Sequence, residues 1–354
     1  MIKILLRALR WLAILAVLVT SGLALAVIVA GYWPGSTSPL FDLEFVLAPW
    51  VVMALLPTTV IAFLYRWRYL RWSMLTMTLI LGLPYLPYFL PRSISPASTG
   101  LHVKLLTFNT WGTKRVADAE QIAYLIYSEQ PDIVTLQEVT EARLKRIQTM
   151  LQVLAPNKPM IAVTNLDTDQ VILSRFPITK LEQDSSASQF LSARVRTPLG
   201  DVVVWNVHAY RENFLAAFSE RNILSYSNLA DHRDGIAQFE WLNERITQVK
   251  QPLLIAGDFN VAPFSREYSL LTQHTQDAFA EAGWGFGFTF PATRAQALQA
   301  HVRGRSVRLS TPWPIAQIDH IFHGAHFSTV KATVLPTTAG SDHRPVLAEF
   351  SLIE

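Results

Sequence analysis

The chain has 354 residues, is half apolar and contains no cysteine, which excludes disulfides, zinc–thiolate sites and a thiol nucleophile. Its charge is unevenly divided: residues 1–99 carry seven basic and two acidic side chains, whereas residues 100–354 carry 23 and 25, so the formal +3 hides +5 followed by −2. The sequence pI of about 9.1 therefore belongs to the N-terminal part and is no evidence for a nucleic-acid-binding surface on the rest.

Three uncharged apolar runs, residues 12–32, 45–65 and 72–90, each approach the ~20 residues a helix needs to cross a bilayer. Trp11, Trp33, Trp50, Trp67 and Trp72 lie near their ends, where amphipathic rings favour the interface. The first run is too long for the apolar core of a cleaved signal peptide, and two more follow it. Lys3, Arg7 and Arg10 precede the first span, and Arg66, Arg68 and Arg71 separate the second from the third. By the positive-inside rule these two segments are cytoplasmic, so three spans place everything after Leu90 outside the cytoplasm. The expected location is thus the inner cell membrane, multi-pass. The third run contains Pro84 and Pro87; were it re-entrant or interfacial, the following domain would face the cytoplasm. Residues 1–92 form the expected membrane region, 93–100 a short linker and 101–354 a separate domain.

In that domain, strands are expected at 103–108, 133–136, 160–164 and 171–174. Residues 193–197 and 202–207 flank the turn Pro198–Asp201 as a hairpin. Further strands are expected at 253–256, 317–322, 331–335 and 346–352, and helices at 118–129, 140–154, 235–249 and 265–272. Asp118 stands as a cap, and residues 209–230 form a long loop. Strands and helices mix without strict alternation, which argues for an α/β fold with mixed sheets.

Several strands stop at a polar side chain. Asn109, Glu138, His208, Asp258 with Asn260, and Asp319 lie at or near such ends, and Asp342–His343 sit in a turn before the last strand. In an extended backbone Asp258 and Asn260 share a face while Phe259 points into the core, although an Asx turn accounts for the same residues. If these ends converge, the site is rich in oxygen donors and suits a hard cation, Mg²⁺, Mn²⁺ or Ca²⁺, rather than zinc. Carboxylates, amides and imidazoles around such an ion can hydrolyse a phosphate ester.

The ordered segments LLTFNTW (105–111), IVTLQEV (133–139), VVWNVH (203–208), LIAGDFNVAP (254–263), IDHIF (318–322) and SDHRPV (341–346) resemble the motifs of the endonuclease/exonuclease/phosphatase superfamily. That group includes deoxyribonuclease I, abasic-site endonucleases and neutral sphingomyelinases. The resemblance covers residues 101–354 and implies a four-layer sandwich, two mixed sheets face to face with helices outside. It also implies Mg²⁺-dependent phosphoester hydrolysis. Carried over by position, Glu138 is the principal metal ligand, with Asn109 beside the metal and Asp342 a further contact. Asp258 orients or deprotonates the attacking water, Asn260, His208 and His343 contact the phosphate, and Asp319 holds His343; the general base stays open. The implied substrate is a phosphodiester, either nucleic acid or a lipid headgroup, with the bilayer itself as the other partner. A membrane-anchored, non-catalytic scaffold is the alternative, disfavoured because all six motifs are intact. Around this set, His320, His323 and His326 read as structural, Arg303, Arg305 and Arg308 as a solvated loop, and residues 284–288 as a flexible aromatic loop.

Overall fold

The computed structural model describes residues 2–32, 39–90, 101–111, 118–165, 167–181, 190–209, 226–292, 298–302, 305–309 and 313–353. The expected 93–100 linker, Arg303 and most of the 209–230 loop lie outside these. The chain divides into two units, Met1–Leu90 and Pro91–Glu354.

In the first unit, α1 (Ile2–Tyr32), α2 (Pro39–Leu64) and α3 (Leu70–Gly82) are followed by a 3-10 helix, Leu83–Phe89. Two stretches, Arg7–Ile28 and Val46–Leu64, are long and apolar enough to cross a membrane by length and composition. The third expected span is not one α-helix. Pro84 and Pro87 have no N–H to donate, so the α-helical ladder gives way to tighter turns. The backbone nevertheless stays right-handed helical across the change, with Leu83 at φ −57 and ψ −40. Pro49 and Pro57 lie inside α2 without ending it. Thr59 and Thr78 hydroxyls meet at 2.8 Å between α2 and α3, and Ser21 donates to the Met74 sulfur at 2.9 Å.

The second unit holds two six-stranded mixed sheets. The first is ordered β13-β14-β1-β2-β4-β3, from β1 (Val103–Asn109), β2 (Ile133–Gln137), β3 (Ile161–Asn165), β4 (Gln170–Ser174), β13 (Phe327–Val334) and β14 (Val346–Leu352). The second is ordered β5-β6-β7-β8-β12-β9, from β5 (Ile178–Lys180), β6 (Phe190–Thr197), β7 (Gly200–His208), β8 (Leu253–Asp258), β9 (Gln276–Asp277) and β12 (Asp319–His323). A separate hairpin pairs β10 (Leu298–Val302) with β11 (Arg305–Leu309); it was not expected, and it puts Arg305 and Arg308 on a strand rather than in a loop.

Strand alternation sorts the residues into layers. Leu106, Phe108, Val134 and Leu136 pack against Ile122 and Ile126 of α4 (Ala119–Glu129) and Leu144 and Ile147 of α5 (Glu141–Leu154). On the far side, Val203, Trp205, Val207, Leu253, Ile255 and Phe322 pack against Phe239, Leu242 and Ile246 of α6 (Tyr226–Gln248) and against α7 (Arg266–Leu271). The intervening residues of each strand face the other sheet. There Gln137 donates to Asn206 at 2.6 Å, and Asn206 donates to the Leu136 and Val171 carbonyls at 2.8 and 2.9 Å. The result is helices, sheet, sheet, helices.

Asp118 does not cap α4 through its side chain; its backbone is already helical and its carboxylate lies against Gly340. Thr140, Ser265 and Asp277 do cap, accepting from Arg143, Tyr268 and Phe279 N–H groups ahead of α5, α7 and α8 (Ala278–Ala282).

Gly257 is a strand position where only glycine fits. A Cβ there would lie 1.8 Å from the Val207 carbonyl oxygen on the parallel neighbour β7. Gly257→Ala is expected to cost about 3 kcal/mol or more, through backbone overlap at a strained φ. Thermal unfolding of the purified variant checks this, and an unchanged midpoint would refute it.

Candidate active site

One edge of the sandwich collects the inward-facing strand ends. β7 and β8 run parallel with His208 opposite Asp258, and antiparallel β12 begins with Asp319 opposite the same Asp258. On the other sheet β1 and β2 run parallel, so Asn109 ends level with Gln137. Parallel strands end together and an antiparallel strand starts there; that is why four strands deliver side chains to one place.

Two turns then redirect what alternation alone would misplace. Gln137 already faces the opposite sheet, so a continued strand would turn Glu138 outward; its left-handed φ of +57 changes that direction. Asn260 has φ +54, so the extended-backbone expectation for residues 258–260 does not hold. The strand stops at Asp258, whose Oδ1 accepts the Asn260 N–H at 3.0 Å. This is an Asx turn and part of the site at once. Phe259 is buried against Phe239 and Phe322, as expected.

Asp258 is the hub. Its side chain is 2 % exposed. Its Oδ2 accepts from Asn109 Nδ2 at 2.9 Å, and the same amide nitrogen reaches Glu138 Oε1 at 3.2 Å. The Nε2 atoms of His208 and His343 stand 3.9 and 3.7 Å from Asp258 Oδ2, too far for hydrogen bonds. His208 Nε2 is also 3.8 Å from Glu138 Oε1. The two imidazoles thus flank one carboxylate oxygen without closing on it. Asn260 Nδ2 donates to the Ala209 carbonyl at 3.2 Å.

His343 is fixed on every side. Its Nδ1 lies 2.8 Å from Asp319 Oδ2, its ring packs 4.8 Å from Phe290, and its N–H donates to Ser341 Oγ at 3.0 Å. Ser341 in turn donates to the Asn109 carbonyl at 2.7 Å, which ties the last turn to the end of β1. Asp342 Oδ1 is 3.8 Å from His343 Nε2, which puts Asp342 beside this imidazole. Burial alone would lower the His343 pKa, but the charges of Asp319 and Asp258, the Asp319 hydrogen bond and Asp342 push it up to about 10. Burial raises the Asp319 carboxyl, the His343 charge opposes this, and the Asp258 charge adds to it.

Two places are rich in cation donors. Among the described residues, Asp258, Asp319 and His343 bring ligand atoms within 4.8 Å of one another. In that cluster Asp319 Oδ2 pairs with His343 Nδ1 at 2.8 Å, while Asp319 Oδ1 is buried without a hydrogen-bond partner among the described residues. Glu138 differs: its side chain is 30 % exposed, it accepts from the Asn109 amide, and the His208 imidazole stands 3.8 Å away. All donors here are oxygen or nitrogen, the set a hard divalent ion takes. The residues at both places fit such an ion. Asn109 in this orientation donates to both carboxylates, while its Oδ1 accepts the Trp111 N–H at 2.9 Å.

All eight residues expected from sequence lie on this edge. Sequence reasoning missed Thr110, Ser341, Thr289 and Phe290, which hold the site without bearing its chemistry. Thr289 accepts the backbone N–H groups of Ile318 and Asp319 at 3.2 and 3.3 Å. His320 and His323 are buried and bond Asp277 at 2.9 Å and Glu281 at 2.7 Å, as structural histidines do.

The sequence profile of the Endonuclease/Exonuclease/phosphatase family matches residues 106–343. Solved structures share the fold at low identity. A family protein from Bacteroides thetaiotaomicron is 15 % identical with a TM-score of 0.51, over 72 % of this chain and 99 % of that one. A mannosyl-6-phosphatase from the same species is 15 % identical with a TM-score of 0.50, over 71 % and 100 %. A family protein from Leptotrichia buccalis gives the same identity, TM-score and coverage. No curated protein sequence matches the chain.

The raised His343 pKa has a signed consequence. A folded value of about 10 against the ordinary ~6.5 means the ion pair stabilises fully below pH 6.5 and is lost as pH rises toward 10. In EDTA, the melting-temperature gap between the parent and His343→Gln is expected to shrink steadily from pH 6.5 to 10. A gap independent of pH would show that the imidazole is not the charged partner.

Proposed function

This chain belongs to the endonuclease/exonuclease/phosphatase family, and on that footing we propose that it is a membrane-anchored, divalent-cation-dependent phosphodiesterase. The observation that carries the reading is the pair of imidazole Nε2 atoms, 3.9 and 3.7 Å from Asp258 Oδ2, with Glu138 beside them. Glu138 would hold the cation, Mg²⁺ first, with Asn109 keeping Glu138 and Asp258 in place. When bound, the ion neutralises charge on the phosphoryl oxygens and the leaving group.

Asp258 is the group that orients the attacking water and accepts its proton; both its oxygens are held and it is shielded from solvent. His343 is protonated at neutral pH, so it offers positive charge and a proton from Nε2 rather than acting as the base. Asp319 fixes that ring from the Nδ1 side. His208 approaches the phosphate from the other flank, and Asn260 donates to it in exchange for the Ala209 carbonyl. Asp342 adds negative charge that keeps His343 protonated.

Residues 1–92 anchor the enzyme. α3 rises about 20 Å and the 3-10 helix about 14 Å more, together near the ~30 Å hydrocarbon thickness, so we read them as a third crossing. With Arg66, Arg68 and Arg71 cytoplasmic, the catalytic domain then faces away from the cytoplasm. Residues 91–100 reach at most about 35 Å, so the domain is held to the N-terminal region by a short tether. The domain also lacks the net positive charge that duplex binders use to neutralise phosphates. Both points favour a lipid-headgroup diester over duplex nucleic acid.

The full-length chain in detergent is expected to hydrolyse bis(4-nitrophenyl) phosphate with Mg²⁺ and not with EDTA, and phospholipid more readily than plasmid DNA. Asp258→Ala is expected to lower turnover about 10²–10⁴-fold. Turnover that survives both the substitution and EDTA would remove the proposal. A periplasm-active reporter fused after Leu90 is expected to be active; activity only of a cytoplasmic reporter would reverse the orientation.

A further inference from the structure

Arg143 is charged and only 1 % exposed, in the first turn of α5. Such a side chain is buried only where it is well bonded. Its Nη1 donates to the Thr110 carbonyl at 2.8 Å and to the Thr110 hydroxyl at 2.9 Å. That hydroxyl lies 3.1 Å from the Gln137 carbonyl and 3.0 Å from the Glu138 carbonyl and donates toward them, while the Thr110 N–H bonds Gln137 at 3.0 Å.

One guanidinium therefore reaches both turns that form the proposed cation side of the site. Thr110 follows Asn109 directly, and the carbonyls it holds flank the left-handed Glu138. The turn is also pinned from outside, because the Val139 N–H donates to the Asp169 carbonyl at 2.8 Å. Asp118 and Glu138 both lie close enough to favour the charged arginine, against a burial that disfavours it. Asp118 also abuts Gly340, where an added Cβ would fall 2.3 Å from its carboxyl carbon.

We propose that Arg143 is a positioning residue for the cation site: acting through Thr110, it fixes the aim of Glu138 and the end of β1 that carries Asn109. This rests on the reading of Glu138 as the cation anchor. Removing a group that orients a ligand from behind costs metal affinity, about 10–100-fold where such partners have been changed. Arginine is needed because a lysine ammonium keeps the charge without the guanidinium's fixed planar donor geometry.

The test is Mn²⁺ binding to the full-length chain in detergent, read by the electron paramagnetic resonance signal of free Mn²⁺, alongside near-ultraviolet circular dichroism. Arg143→Lys, Thr110→Val, the double variant and Glu138→Gln are compared. Thr110→Val keeps the arginine and nearly the same shape, so it carries the test even if Arg143→Lys does not fold. Each single change is expected to weaken Mn²⁺ binding about tenfold or more with the circular dichroism retained. The double variant is expected to be no weaker than the worse single, because both act through one link. Unchanged affinity in folded Arg143→Lys and Thr110→Val, while Glu138→Gln weakens binding, would overturn the positioning role alone. So would additive losses. Unchanged binding in Glu138→Gln would overturn the cation-site reading and this inference with it.

Discussion

Burying an ionised carboxylate costs several kcal/mol unless donors and cations compensate it, and Asp258 is buried where the two sheets meet. Its compensation comes from both sheets. Asn109 donates from the end of β1, and the Asn260 N–H donates from the turn after β8. The imidazoles of His208 and His343 add positive or polar character from either flank. None of this holds unless both sheets end at the same edge and in register. The Asp258 environment therefore constrains the topology, and the topology places every other member of the site.

Much of this was legible in the sequence because strand alternation is a strong rule. Asn109, His208 and Asp258 each end an inward-facing column, so an apolar strand ending in a polar residue was a sufficient signal for them; Asp319 instead begins its strand. Glu138 and Asn260 were identified for their chemistry, but their directions were not legible. Both depend on left-handed backbone at non-glycine residues, which no residue pattern announces. Arg143 lies within the expected 140–154 helix, with nothing in the sequence to single it out. A guanidinium that reaches Thr110 just past the end of β1 is a tertiary event, and helical spacing carries no trace of it.

The N-terminal apolar part shows the opposite balance. Composition identified the apolar runs, and two became long helices. Where Pro84 and Pro87 removed donors the third became α followed by 3-10. Hydropathy alone does not distinguish these geometries, because proline acts through a missing N–H rather than through polarity. The orientation proposed for the domain hangs on that segment.

The proposed chemistry divides the labour: Glu138 would anchor a cation, and Asp258 with the two imidazoles would handle the phosphate. A crystal of the chain soaked with Mn²⁺ and phosphate, recorded at the manganese absorption edge, tests that division directly. The account predicts an anomalous peak beside the Glu138 carboxylate and phosphate between His208 and His343. A peak seated instead among Asp258, Asp319 and His343, with Glu138 uninvolved, would contradict it.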